Sequence, residues 1–112
     1  MRHCGDVQLA DLGEPQGREA GLARPVVIVT ARLVLDQRPN LVHVVPLTST
    51  IRGYRSGVRI EPDADNGLEV VSAAHCQHIR AITVGRLADP LGNVGPQALS
   101  QIREIIADLL DL

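Results

Sequence analysis

The sequence predicts a mainly β domain with one C-terminal α-helix, on the plan of a small, closed β-barrel. Short β-branched or alternating runs recur from Asp6 to Ile82, broken by segments rich in Gly, Pro, Asp and Asn. Beyond Pro96 the apolar period changes, and Leu99, Ile102, Ile106 and Leu109 recur at spacings of three and four. A chain of 112 residues with 45% apolar content fits a single domain, residues 1–112, with a modest core. That core must be aliphatic, because Tyr54 is the sole aromatic residue.

Asp6-Val7-Gln8-Leu9-Ala10 alternates polar and apolar, as a half-buried strand does. Gly13 to Ala23 collects Gly, Pro and charge, and reads as a long mobile loop. Pro25 to Thr30 and Leu41 to Thr48 are apolar and β-branched enough to be central strands. Arg52-Gly53-Tyr54-Arg55-Ser56-Gly57 is a basic loop. Val58 and Ile60 alternate with Arg59 and Glu61 on a further strand, which ends at the turn Pro62-Asp63-Ala64-Asp65-Asn66-Gly67. Val70 to Ala74 and Gln77 to Ile82 supply two more strands. Pro96 suits a first helical position, and Ala98 and Ile105 widen the helix's apolar stripe. One helix of about four turns on a sheet of roughly five to seven short strands closes the barrel plan.

Composition narrows the function classes. The chain contains no run of about 18 apolar residues and no basic-then-apolar leader at Met1, so it reads as cytosolic with no membrane association. Cys4 and Cys76 have the option of pairing, but two cysteines in a cytosolic domain are more often free and buried. The formal charge of −2 is unevenly spread: eight Arg face five acids up to Ile60, and three Arg face eight acids beyond it. All eleven basic residues are arginine, a choice that codon bias in a GC-rich genome also explains. Either way, each positive charge is a planar fork able to grip phosphate in bidentate fashion. Neither Cys-x-x-Cys nor His-Glu-x-x-His occurs, and no Gly-rich stretch ends in Gly-Lys-Thr/Ser, so no metal and no cofactor is expected.

Two runs carry the chemistry. Arg24-Pro25-Val26-Val27-Ile28-Val29-Thr30 has an arginine before a β-branched strand, and Val44-Val45-Pro46-Leu47-Thr48-Ser49-Thr50 has hydroxyls after one. A guanidinium and hydroxyls delivered by neighbouring strands suit a phosphodiester. Around them stand Gly5-Asp6-Val7, Asp11-Leu12, Pro15-Gln16-Gly17-Arg18-Glu19, Ile79-Arg80-Ala81-Ile82 and Gly85-Arg86-Leu87. In this order, from Gly5 to the C-terminal helix, these segments resemble the MazF/PemK/Kid family of toxin endoribonucleases. The third looks like the family's Pro-x-x-Gly-Ser-Glu loop with one residue missing.

The resemblance implies an SH3-like barrel of the MazF/CcdB/Kid type, assembled as a two-fold homodimer. It also implies metal-independent cleavage of single-stranded RNA by the toxin of a type II toxin–antitoxin system. Arg24 and Thr48 occupy the family's catalytic positions and would neutralise a pentacoordinate phosphorane. On its own residues Arg24 reads first as a surface arginine capping a strand, and Thr48 as a packing or turn residue; the matched Arg-Pro strand opening and their pairing reverse that order. Glu19, in the loop that the family places over the site, would orient Arg24 or accept a proton, or is a solvated loop acid. An ordinary guanidinium stays protonated, so Arg24 is a poor base but a usable proton donor.

Further substrate contacts are expected from Arg18, Ser49, Arg52, Arg55, His75, Gln77, His78 and Arg80. The chain departs from its relatives at Gln77-His78, where family members often carry Asp/Glu-Gln. His75 or His78 would replace the missing carboxylate, or both are surface or interface histidines. On a strand, His75 and Gln77 share one face and Cys76 and His78 the other. With Tyr54 the sole aromatic, bases are to be read by hydrogen bonds and arginine stacking in a groove that takes splayed nucleotides. The expected protein partner is an antitoxin whose acidic disordered tail fills that groove beside Arg18, Arg52, Arg55 and Arg59. Two other readings stand: a non-catalytic CcdB-like toxin that poisons an enzyme such as DNA gyrase, and a barrel that only binds RNA or protein.

Overall fold

The computed structural model describes residues 2–13, 23–51 and 57–112. Its elements are β1 (Asp6–Asp11), β2 (Ala23–Ile28), α1 (Arg32–Leu35), β3 (Leu41–Thr48), β4 (Gly57–Ile60), β5 (Ser72–His75), β6 (Arg80–Thr83), β7 (Leu87–Asn93) and α2 (Gly95–Leu109). Seven strands form one sheet in the order β4-β5-β3-β2-β1-β7, with β6 added alongside β3. Each pairing is antiparallel.

β3 organises this sheet. One edge pairs with β2; along the other, Leu41 to Val44 pair with β6 while Leu47 and Thr48 pair with β5. The Val29 amide donates to the His43 carbonyl at 3.0 Å, so odd-numbered residues of β3 present their backbone groups to β2. Pro46 therefore faces the opposite edge at the point where the partner changes, and its missing N–H removes nothing from a ladder.

The pleat divides β2 and β3 between two cores. Val27, Val45 and Leu47 face Leu99 and Ile102 of α2 together with Val58, Ile60 and Cys76. Val26, Ile28, Val42 and Val44 face Leu35 of α1, Leu12 and Ile82. A sheet covered on both faces needs near-continuous apolar strands, which is what Val26-Val27-Ile28 and Val42 to Leu47 supply. On α2, Leu99 and Ile102 are buried and Ile105 and Ile106 pack beside them, but Leu109 is exposed at the helix end.

The sheet does not close into the expected barrel. Among the described residues no ladder joins the terminal strands β4 and β7. The turn after β4 docks on β7 instead: the Asn93 amide donates to the Asp65 carbonyl at 2.9 Å. Glycine permits that approach, since a Cβ on Gly92 would lie 2.1 Å from the Asp65 oxygen. The strand β7 was not expected from its sequence, because Asp89-Pro90 and Gly92-Asn93 read as turns. It survives as an edge strand with two register shifts against β1, where a proline costs no ladder bond.

Candidate active site

The register of β2 and β3 sets Val26 opposite Pro46 and Val27 opposite Val45. Continued by two residues, the same register sets Arg24 across from Thr48, on one face of the sheet. On its other edge Arg24 pairs with Ala10 of β1, which fixes its backbone from that side. Both residues are half-buried. Each is placed where its strand leaves the core, so the backbone is held by apolar packing while the polar end meets solvent.

Arg24 and Thr48 line one cleft of about 570 Å³, with Ser49 and Thr50 beside them. The floor is apolar, made of Leu9, Pro25, Leu47 and Leu91. The far wall is the segment Gly67-Leu68-Glu69-Val70, closed by Ser72. The Thr50 amide donates to Thr48 Oγ1 at 3.1 Å. That bond uses a lone pair and leaves the hydroxyl hydrogen of Thr48 able to donate to an oxyanion. The cleft thus combines a guanidinium, the hydroxyls of Thr48, Ser49, Thr50 and Ser72, and apolar side chains, which suits binding and charge neutralisation of one phosphodiester.

The far wall is held from beneath. Asn66 has no solvent exposure. Its Oδ1 accepts the amides of Asp63 at 3.2 Å and Leu68 at 3.0 Å, and its Nδ2 donates to the Glu61 carbonyl at 2.8 Å. Asp63 Oδ1 accepts the amides of Asp65 and Asn66, both at 2.8 Å. Gly67, at φ +69°, then turns the chain up into the wall, its α-carbon packed against Leu91.

The other expected site residues are placed less uniformly. Ser49 is in the cleft. Glu19, Arg18, Arg52 and Arg55 lie outside the described residues. His75, Gln77, His78 and Arg80 are not among the residues lining the cleft. Arg80 is half-buried, and its Nη1 donates to the Leu12 carbonyl at 3.3 Å.

The strand parity expected from His75 to His78 does not hold. β5 ends at His75, and Cys76–His78 form a 3₁₀ turn. Three residues per turn bring i and i+3 to one side, so the rings of His75 and His78 meet edge to face with centroids 5.2 Å apart. Nδ1 of His78 is buried without a hydrogen-bond partner among the described residues. Cys76, between them, is buried, and burial pushes its thiol up to about 11. Both cysteines are free, and Cys4 is only half-buried.

Sequence reasoning missed the far wall, Glu69 above all. The available signal was a single acid inside the apolar run Leu68-Glu69-Val70-Val71. Among the described residues no group of three His, Cys, Asp or Glu could hold a metal ion, and no helix is long and apolar enough to cross a membrane.

A small two-core β domain with a C-terminal helix, presenting arginine and threonine from adjacent strand ends at one cleft, is the arrangement that the sequence predicts for a MazF/PemK-like toxin. Residues 3–110 match the model of the PemK-like, MazF-like toxins of type II toxin–antitoxin systems, and the chain belongs to that family. It is 31% identical to endoribonuclease MazF9 of Mycobacterium tuberculosis, over 100% of this chain and 98% of that protein. Among solved structures it is similar to the Mycobacterium tuberculosis toxin MazF-mt6, with a TM-score of 0.77, 29% identity and coverage of 96% and 97% of the two chains. It is also similar to an endoribonuclease in complex with its cognate antitoxin from a mycobacterial species, with a TM-score of 0.80, 27% identity and coverage of 100% and 97%.

Proposed function

We propose that this chain is a toxin endoribonuclease that cleaves single-stranded RNA without a metal ion, at the cleft between Arg24 and Thr48. The observation that supports this reading is that both residues line one cleft, at strand ends that the β2–β3 register brings together when continued by two residues. The neighbouring 2′-hydroxyl attacks phosphorus, and the bond to the 5′-oxygen breaks. The products are a 2′,3′-cyclic phosphate and a 5′-hydroxyl. Arg24 lays two parallel N–H donors on the phosphoryl oxygens as charge builds there, and Thr48 adds its hydroxyl hydrogen. Arg24 also donates toward the leaving 5′-oxygen. Glu19, in the loop that the family resemblance sets over the active site, is assigned the role of taking the 2′ proton.

The relatives named above are endoribonucleases, which does not favour the rival reading of a non-catalytic, CcdB-like poison. An antitoxin is the natural protein partner, as it is for the solved neighbour crystallised with its own. Its tail is acidic with apolar anchors, matching the cation and the apolar floor of the cleft, and the toxin works in the cytoplasm where its RNA is. We extend the reading to a homodimer. Leu33 is 72% exposed and Leu112 88%, and Val34 and Leu112 flank a groove with Ile79 and Ile106. A second copy covering that face removes apolar surface from water.

The deciding experiment is incubation of the purified protein with structured and unstructured RNA in EDTA, followed by mapping of the new ends. Cuts confined to single-stranded segments, with cyclic phosphate and 5′-hydroxyl ends, are expected. Intact RNA, or cleavage that stops on chelation, rejects the reading.

A further inference from the structure

The Arg24–Thr48 cleft has two unlike walls. One carries the guanidinium and the hydroxyls of Thr48, Ser49 and Thr50; the other carries Leu68, Glu69 and Val70. Glu69 is the only carboxylate among the described residues that line it, just as Arg24 is the only cation. A carboxylate facing a polyanion is repelled unless it moves a proton or meets hydrogen-bond donors on a base. The position of Glu69 separates these roles. It belongs to the largely exposed segment Gly67 to Val70, a different part of the lining from the strand ends that carry Arg24 and Thr48, and its chain neighbours are the aliphatic Leu68 and Val70, the latter exposed. An unstacked base finds there an apolar platform with an acceptor beside it, while its phosphate lies against Arg24.

We propose that Glu69 is a specificity residue that reads a guanine next to the scissile phosphate, and this rests on the endoribonuclease reading above. A carboxylate is acceptor-only and takes two donors side by side. Guanine alone among the four neutral bases offers that pair, its N1–H and N2–H₂, along one edge. Adenine and cytosine each present a single amino donor next to a ring acceptor, and uracil a single imino donor between two carbonyls, so each sets a lone pair against the carboxylate. The wall that carries Glu69 is rigid enough to discriminate, since the buried Asn66 pins the Leu68 amide immediately before it.

The test compares the parent with Glu69→Gln and Glu69→Ala on single-stranded RNA containing a randomised window, with the new ends sequenced. The parent is expected to require guanine at one position flanking its cuts. Inosine at that position removes the N2 amino group and should lower the parent's kcat/KM by roughly tenfold or more, the scale for losing one base-edge contact. Glu69→Ala should lose both the guanine preference and the sensitivity to inosine while still cutting, and Glu69→Gln should shift the preferred base. An unchanged cut profile in Glu69→Ala overturns the assignment, as does a parent indifferent to inosine. A fall in turnover for every sequence with the preference intact would make Glu69 a proton-transfer group and equally overturn it. Should the parent cut no RNA, the endoribonuclease reading itself fails, which is a different result from cutting without guanine preference.

Discussion

The side-chain oxygen of Asn66 accepts the Leu68 amide at 3.0 Å, so a residue with no solvent exposure sets the backbone of the cleft's far wall. The same amide group ties Asp63 and Glu61 into one turn, and that turn docks on β7 through Asp65 and Asn93. The docking of this turn on β7 and the shape of the cleft therefore both depend on Asn66.

Asn66→Ala should separate these two features from the rest of the fold. It leaves the Asp63 and Leu68 amides and the Glu61 carbonyl without their partner, at a cost of at least about 2 kcal/mol. Thermal unfolding should shift down by roughly 10 °C. Any RNA cleavage should lose sequence preference before it loses rate. A variant with parental melting temperature and parental cut sites would show that the turn is held by other contacts.

Cys76 predicts a pH response. Burial raises its thiol from an ordinary 9.0 to about 11. Below pH 9 the thiol is protonated in both states and its contribution to stability is intact. Between 9 and 11 the unfolded chain gives up the proton while the folded chain keeps it, so stability falls as pH rises. Chemical denaturation from pH 8 to 11 should show this loss in the parent and a smaller one in Cys76→Ala. At pH 8 a thiol reagent should modify Cys4 rapidly and Cys76 only on unfolding.

Sedimentation bears on assembly. The 12.0 kDa chain should travel as a dimer at micromolar concentration. Leu33→Glu places a charge on the exposed apolar face and should shift the population toward monomer without lowering the melting temperature of the monomer itself. Persistence of the dimer in that variant would locate the contact elsewhere, and a strict monomer that cuts RNA would show that cleavage does not depend on the homodimer.

How legible this molecule was depended on the range of the forces that place each part. β1 to β4 and α2 were readable because the signal lies in their own residues: the β-branched run Val26-Val27-Ile28 and the Leu99, Ile102 stripe declare a strand and a helix whatever their neighbours. β7 was unreadable because Pro90 and Gly92 are turn residues locally and become strand residues only against β1 and the docked turn. The same division runs through the site. Arg24, Thr48 and Ser49 stand at the ends of readable strands, so their meeting followed from sequence. Glu69 reaches the cleft only because Asp65 binds β7 far along the chain, and His75 meets His78 only because a 3₁₀ turn replaces the expected strand.

The proposed chemistry is tested at Arg24 and Thr48 with the fold as a control. Both are half-buried at strand ends, and neither belongs to the two cores, so truncation should leave the melting temperature within a few degrees of the parent. Arg24→Ala should lower RNA cleavage by at least about 10²-fold, the scale for removing one donor that acts on developing charge, and Thr48→Ala should do the same. Arg24→Lys should recover little, because an ammonium is a point charge and does not lay two parallel donors on the phosphoryl oxygens. Since both residues act on one phosphorane, the double variant should be far less impaired than the product of the single losses. Multiplicative losses would mean that the two contribute independently rather than as a unit, and parental cleavage by either alanine variant would move the active site away from this cleft.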